Sequence, residues 1–244
     1  PGLSAIGSIS VLTIPSDNNT WSTTLYSASS DAPMRRLRDP DVFCRVVREC
    51  PLHAHWVDGE PISDVASMSG AVDRTRRFVL DGVPVATGML SIADAAACTN
   101  PSVGRGMSFG LMHTVVMRDT VRDHLDDPAA LSLAFHEATE RQLDPWHEAT
   151  RGFDRSSRGL MQAAIEGREP EPDPFAAVGA ALVAACHVDE QAVRWFGEIQ
   201  GCLALPMEIF ARDGALAHVM RVAAGVDAAP IPGPDRQRLL ELVS

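Results

Sequence analysis

The stretch from Val83 to Ser108 constrains the fold more than any other part of the chain. Val83 to Leu90 reads as an apolar strand that runs into a small-residue turn holding one acid, Asp94. The loop Pro101-Ser102-Val103-Gly104-Arg105-Gly106 follows, a Pro-x-x-Gly-x-Gly pattern, and a helix opens at about Met107. Glycines let a backbone come close to a ligand. The first free N–H groups of a helix favour negative charge in front of them. Strand, acid, glycine loop and helix start, in that order, suit an anionic or ribityl-bearing cofactor. The plain alternative is a tight strand-to-helix connection built of small residues.

On either side of this stretch the character of the chain differs. Leu3 to Pro15 and Thr20 to Ala28 are rich in β-branched residues and flank Ser16-Asp17-Asn18-Asn19, so they predict a hairpin. Asp39 or Asp41 caps a helix through about Arg48, with Phe43, Val46 and Val47 on its apolar side, and Pro51 closes it. Ile62 to Met68 and Thr75 to Leu80 read as two further strands, with Asp81-Gly82 a turn before Val83. Met107, Leu111, Thr114, Val115 and Arg118 lie at helical spacing through to His124. Asp127-Pro128 starts another helix that runs towards Pro145. The proline- and acid-rich run 168–174 reads as a loop, and 175–186, 190–203, 215–224 and 235–243 as helices. Strands first, one strand-to-helix crossover, then helices alone predict an α+β chain.

Composition excludes several functions. With 244 residues and 45% hydrophobic residues, the chain can bury a core as one large domain or parts of two. A net charge of −11, with no long basic stripe, argues against nucleic acid as a partner. Every basic residue except histidine is arginine, which removes Schiff-base chemistry and the phosphate-loop lysine. Cys44, Cys50, Cys98, Cys186 and Cys202 are scattered, with no C-x-x-C pair, and fit a reducing cytoplasm better than a disulfide scaffold. No run is long and apolar enough to predict a membrane span, and no signal peptide is evident.

Ala93-Asp94-Ala95 followed by Pro101-Ser102-Val103-Gly104-Arg105-Gly106 resembles the flavoprotein monooxygenase superfamily, close in style to its geranylgeranyl reductase-like members. In those proteins an apolar strand leads to Gly-Asp-Ala, a short spacer, Pro-x-x-Gly-x-Gly and a helix. The resemblance implies an FAD-dependent oxidoreductase in which Asp94 accepts a hydrogen bond from a ribityl hydroxyl. It implies that Ala95 and the loop Pro101, Gly104, Arg105 and Gly106 run along the cofactor. Met107 and Ser108 would then face the pyrimidine side of the flavin, with NAD(P)H as a candidate electron donor. Residues 1–80 would form part of a substrate-binding antiparallel sheet, 81–125 the part returning to the FAD domain of an α/β flavoprotein fold, and 126–244 a helical C-terminal region. The substrate would be small and apolar or aromatic, with Trp21, Tyr26, His53, His55 and Trp56 on or near its sheet. Two departures stand out. Ala93 replaces the family's glycine, a mild change at negative φ and a strained one at positive φ. No Gly-x-Gly-x-x-Gly follows a strand, so the ADP-binding half is expected upstream in the same polypeptide or on another one.

Three other constellations carry weaker expectations. His136, Glu140 and His147 fall near one helix face and could hold a metal for hydrolysis, although position 140 lacks the second histidine of a zinc-protease helix. Cys186, His187 and Asp189 bring three triad residue types together in sequence, and Cys98 lies within the cofactor segment. A non-catalytic partner with an incomplete cofactor site is the alternative to an enzyme.

Overall fold

In the computed structural model, which describes residues 2–70, 72–227 and 230–244, β1 (Leu3–Ile6), β2 (Ile9–Pro15) and β3 (Trp21–Ser27) form an antiparallel sheet in that order. The expected hairpin is present, with Ile9 opposite Ser27 and Pro15 opposite Trp21. Its turn rests on Asn18 and Asn19, both at positive φ, which asparagine tolerates better than other residues with a Cβ. Leu3 to Pro15 is not one strand, however. Gly7, at φ +55°, folds it back so that Ile6 pairs with Ile9. The next element is α1 (Pro40–Arg48), where Asp39 accepts from the Asp41 and Val42 amides and Pro40 takes the first turn.

Beyond it the strands shrink. Ile62 to Met68, expected as a strand, has no pairing partner among the described residues and is irregular, with Ile62 and Met68 largely exposed. Thr75 to Leu80 splits into β4 (Arg74–Thr75) and β5 (Val79–Leu80). The apolar strand Val83 to Leu90 is reduced to β6 (Val83–Pro84), paired with β5 through the left-handed Asp81-Gly82 turn. Pro84 cannot donate to a ladder, and Gly88 turns the chain at φ +76°. β7 (Ala97–Cys98) pairs with β4.

Helices follow: α2 (Gly106–His124), α3 (Pro128–Gln142), α4 (Asp144–Glu166), α5 (Pro174–Ala185), α6 (Glu190–Gln200), α7 (Pro206–Phe210), α8 (Ala215–Ala223) and α9 (Arg236–Leu242). Asp127, Asp173, Asp189 and Asp235 cap α3, α5, α6 and α9 with their carboxylates. Pro145 opens α4 in its first turn instead of ending the preceding helix. The architecture is α+β, with small antiparallel sheets and helices predominating. No helix among the described residues is long and apolar enough to cross a membrane.

The chain divides into two compact units that interleave in sequence. One comprises 1–70, 156–172 and 228–244, and the other 71–155 and 173–227. The first buries Ile6, Ile9, Val11, Val42, Val46 and Leu239 in one core. The second holds two clusters. Val116, Phe135 and Leu143 bring α2 and α3 together, while Leu182, Trp195, Ile209 and Val219 join α5, α6, α7 and α8.

Candidate functional site

The Asp94 segment is a single 3-10 turn, Ala93–Ala95, in the second unit. Two side chains hydrogen-bond its backbone. Arg76, between β4 and β5, donates to the carbonyls of Asp94 (3.3 Å) and Ala95 (2.9 Å). His113, about two turns into α2, accepts the Ala93 amide at Nδ1 (3.2 Å). The Asp94 carboxylate itself is exposed and takes no hydrogen bond from a described residue. A fixed backbone with a free acid is a pre-organised acceptor, held at little further entropic cost when a donor arrives.

Ala93 has φ +51°, the left-handed region. The turn therefore has the backbone for which glycine is suited, and the Cβ of Ala93 is carried at a cost. Gly110 lets α2 come close to it: a Cβ there would meet the Ala93 Cβ at 3.2 Å. Ala93→Gly is expected to stabilise the chain by about 0.5–1 kcal/mol, the relief of left-handed strain exceeding the added chain entropy. Urea unfolding would show it as a higher midpoint at unchanged slope, and a lower midpoint would refute the strain.

The glycine loop is fixed by Asn100. Its amide donates to Asp73 Oδ1 (2.9 Å), its side-chain N–H to Asp154 Oδ1 (2.8 Å), and its Oδ1 accepts from the Ser102 amide (3.1 Å). Gly104 then turns left-handed at φ +68° and donates to the Pro101 carbonyl. Among the described residues no side chain caps α2, and its opening at Gly106, Met107 and Ser108 is exposed. Asp94, Ala95, Pro101 and Gly104 are exposed as well.

Arg105 differs from the other expected site residues. Its side chain is buried, with the guanidinium 5.7 Å over the Trp146 ring and Nη2 donating to Gln200 Oε1 (3.2 Å). Nε finds no acceptor among the described residues. Burial lowers its proton affinity, an effect the nearby Cys202 partly offsets. Arg105 therefore anchors the loop to α4 and α6.

The remaining candidates lie outside the Asp94 turn. His136 and Glu140 are one turn apart on α3, 3.4 Å from each other, and Arg77 reaches both Glu140 (3.9 Å) and Asp144. His147 belongs to the next helix, α4, with Asp144 3.8 Å away. Among the described residues no three metal-ligating side chains gather. Cys186, His187 and Asp189 do not assemble into a triad. Asp189 caps α6 and pairs with His218 (3.1 Å), and His187 is exposed. Cys98 is a free, half-buried thiol.

In the first unit Trp21 and Trp56 pack with ring centroids 5.5 Å apart, and Trp21 Nε1 donates to the Trp56 carbonyl. His55 stacks beside Trp56 at 4.9 Å, while Tyr26 is half-buried on β3. His53 lies inside, between Thr13 Oγ1 (2.9 Å) and Ser4 Oγ (2.8 Å).

Arg76, His113 and Asn100 went unnoticed in the sequence. Asn100-Pro101 carried the only local signal, since asparagine before proline favours a turn. Comparison with models of known protein families gives no match for this chain, and comparison with curated proteins gives no significant one.

Proposed function

We propose that this chain contributes the ribityl- and flavin-facing part of an FAD site in a flavin-dependent oxidoreductase of the monooxygenase or reductase kind. The observation that carries the reading is the Asp94 turn. Its backbone is clamped by Arg76 and His113, its carboxylate is free, and its first residue, at the position where the family has glycine, has a left-handed backbone that suits glycine. The residues fit the group. Asp94 would accept from a ribityl hydroxyl, a charge-assisted bond stronger than a neutral one. The uncapped start of α2 at Gly106, Met107 and Ser108 would place positive potential where negative charge develops on the cofactor. Bound there, FAD would supply the redox chemistry, with NAD(P)H as a possible donor, on a small apolar or aromatic substrate.

The same reading requires a partner. Met107, Leu111 and Val115 recur at helical spacing on α2 and are 81%, 65% and 46% exposed. An apolar stripe on the helix that carries the cofactor loop fits a nucleotide-binding unit with Gly-x-Gly-x-x-Gly, in the same polypeptide or another. A cytoplasmic setting agrees with five free thiols. The second reading, a non-catalytic assembly subunit, draws on that same exposed stripe.

Titration with FAD, followed by flavin fluorescence quenching, tests the proposal with this chain alone and with such a unit supplied. Binding that needs the added unit is expected, and Asp94→Ala should weaken it roughly 10- to 100-fold, the loss of one charge-assisted hydrogen bond. No quenching in any combination would leave the assembly subunit as the better account.

A further inference from the structure

A proton inventory of the clamp behind Asp94 fixes the state of one buried histidine. The Thr139 hydroxyl donates to the Phe135 carbonyl (2.7 Å), as a helical threonine does, so towards His113 it acts as an acceptor. His113 Nε2, 3.0 Å away, therefore carries the proton. Nδ1 is left with a lone pair, and the Ala93 amide donates into it. An unbroken chain of hydrogen bonds runs from the turn, through the imidazole and Thr139, to the α3 backbone. The ring is buried and stacked on Phe135, with centroids 5.0 Å apart and planes 3° from parallel. A ring flip would break both hydrogen bonds at once.

We propose that His113 is the positioning residue of the Asp94 turn, and that its protonation releases the turn and makes cofactor binding depend on pH. This rests on the flavin reading of Asp94 for its functional half and on geometry alone for its structural half. A second proton would sit on Nδ1 and set donor against donor at the Ala93 amide. Ala93, at positive φ, loses the contact that holds its strained backbone and relaxes. The Arg76 bonds to the Asp94 and Ala95 carbonyls survive, so the turn loosens at its first residue instead of unfolding.

The groups around the imidazole mostly oppose the proton. Arg76 and Arg77 from the strand segment and His136 from α3 line the same cleft as His113. From α4, His147 disfavours the charge and Asp144 favours it, but Asp144 is already paired with Arg77. Burial is the largest influence and holds His113 below its ordinary range. Release therefore lies below the ordinary imidazole range, with the clamp closed at neutrality.

Two variants separate this role from simple packing. Asn in His113→Asn keeps an oxygen acceptor near the Nδ1 position and cannot titrate, whereas His113→Leu removes the acceptor at every pH. FAD affinity, measured with the nucleotide-binding unit supplied, should fall about tenfold for the parent chain between pH 7.5 and 5, the worth of one hydrogen bond or slightly more. His113→Asn should hold its affinity across that range, and His113→Leu should match the acidic parent throughout. The exchange protection factor of the Ala93 amide, read by NMR without cofactor, should follow the same three patterns. Protection indifferent to both pH and His113→Leu overturns the clamp. Protection that opens in acid while FAD affinity stays flat overturns control of binding. Protection that behaves as expected in a chain that binds no FAD supports the clamp and removes the flavin reading instead.

Discussion

Asp31→Ala should lower the unfolding free energy of the first unit by about 3–5 kcal/mol, the cost of breaking a buried ion pair from one side. The Asp31 side chain is entirely removed from solvent. Both of its oxygens accept from the Arg236 guanidinium, Oδ1 from Nη2 at 2.8 Å, and Nη1 also donates to Ser8 Oγ at 3.2 Å. Arg236 opens α9, while Ser8 sits in the turn between β1 and β2, so one fork ties the C-terminal helix to the sheet. Without Asp31 the guanidinium faces a void with only one hydroxyl for a partner. About a quarter of the Arg236 side chain reaches water, which places the expected loss towards the lower end of that range. Asp31→Asn should lose less, because an amide oxygen still accepts one of the two bonds. Urea unfolding followed by circular dichroism reads both, and a loss under about 1 kcal/mol for Asp31→Ala would reduce the pair to the worth of a surface contact.

That pair joins residues 205 positions apart and has no signature in the sequence. What the sequence did show was local. Asp127-Pro128 announced its helix because a carboxylate cap and a proline in the first turn act within three residues. Asn18-Asn19 announced the hairpin because turn geometry lies in the dihedrals of those residues. The strands expected at Ile62 to Met68 and Val83 to Leu90 failed for the complementary reason. β-propensity measures fitness for a pleated, paired surface; among the described residues Ile62 to Met68 meets no strand edge, and Val83 to Leu90 meets only the two-residue edge of β5, which pairs Val83 and Pro84 alone. The candidate site divides in the same way. Asp94, Gly104 and the start of α2 were legible as a run of residue types, whereas the residues that hold them were not. His113 lies on the buried face of α2 with Phe109, Val116 and Thr120. The spacing drew attention to the opposite stripe, Met107, Leu111 and Val115, which is exposed. A histidine on an apolar face becomes informative only once Ala93 and Thr139 are seen on its two nitrogens.

Acidification should destabilise both units between about pH 6.5 and the onset of carboxylate titration, with histidine as the cause. His53, His113 and His147 are all buried, and burial is the largest influence lowering each of them from the ordinary value near 6.5. Asp144, 3.8 Å from His147 Nδ1 and too far to hydrogen-bond, only partly offsets that effect. In the unfolded chain these imidazoles take up protons as pH falls through about 6.5, while in the folded chain they do not until lower pH. The unfolded state therefore binds more protons in that window, and stability falls with pH. Above it the three sites contribute no slope. The half-buried Glu49, Glu198 and Asp189, held below the ordinary carboxylate range chiefly by Arg238, Arg212 and the Ala192 amide respectively, act in a separate window at lower pH. Each excess proton contributes a slope of about 1.4 kcal/mol per pH unit. His53 belongs to the first unit, and His113 and His147 to the second. The first unit should thus approach a slope of one proton and the second a slope of two, resolved by hydrogen exchange at pH 7.5, 6.5 and 5.5. His113→Asn should remove one proton from the second unit's slope and leave the first unchanged. Stability that is flat or rising as pH falls from 6.5 to 5.5 would mean that these imidazoles are charged in the folded chain, and would remove the neutral His113 on which the clamp depends.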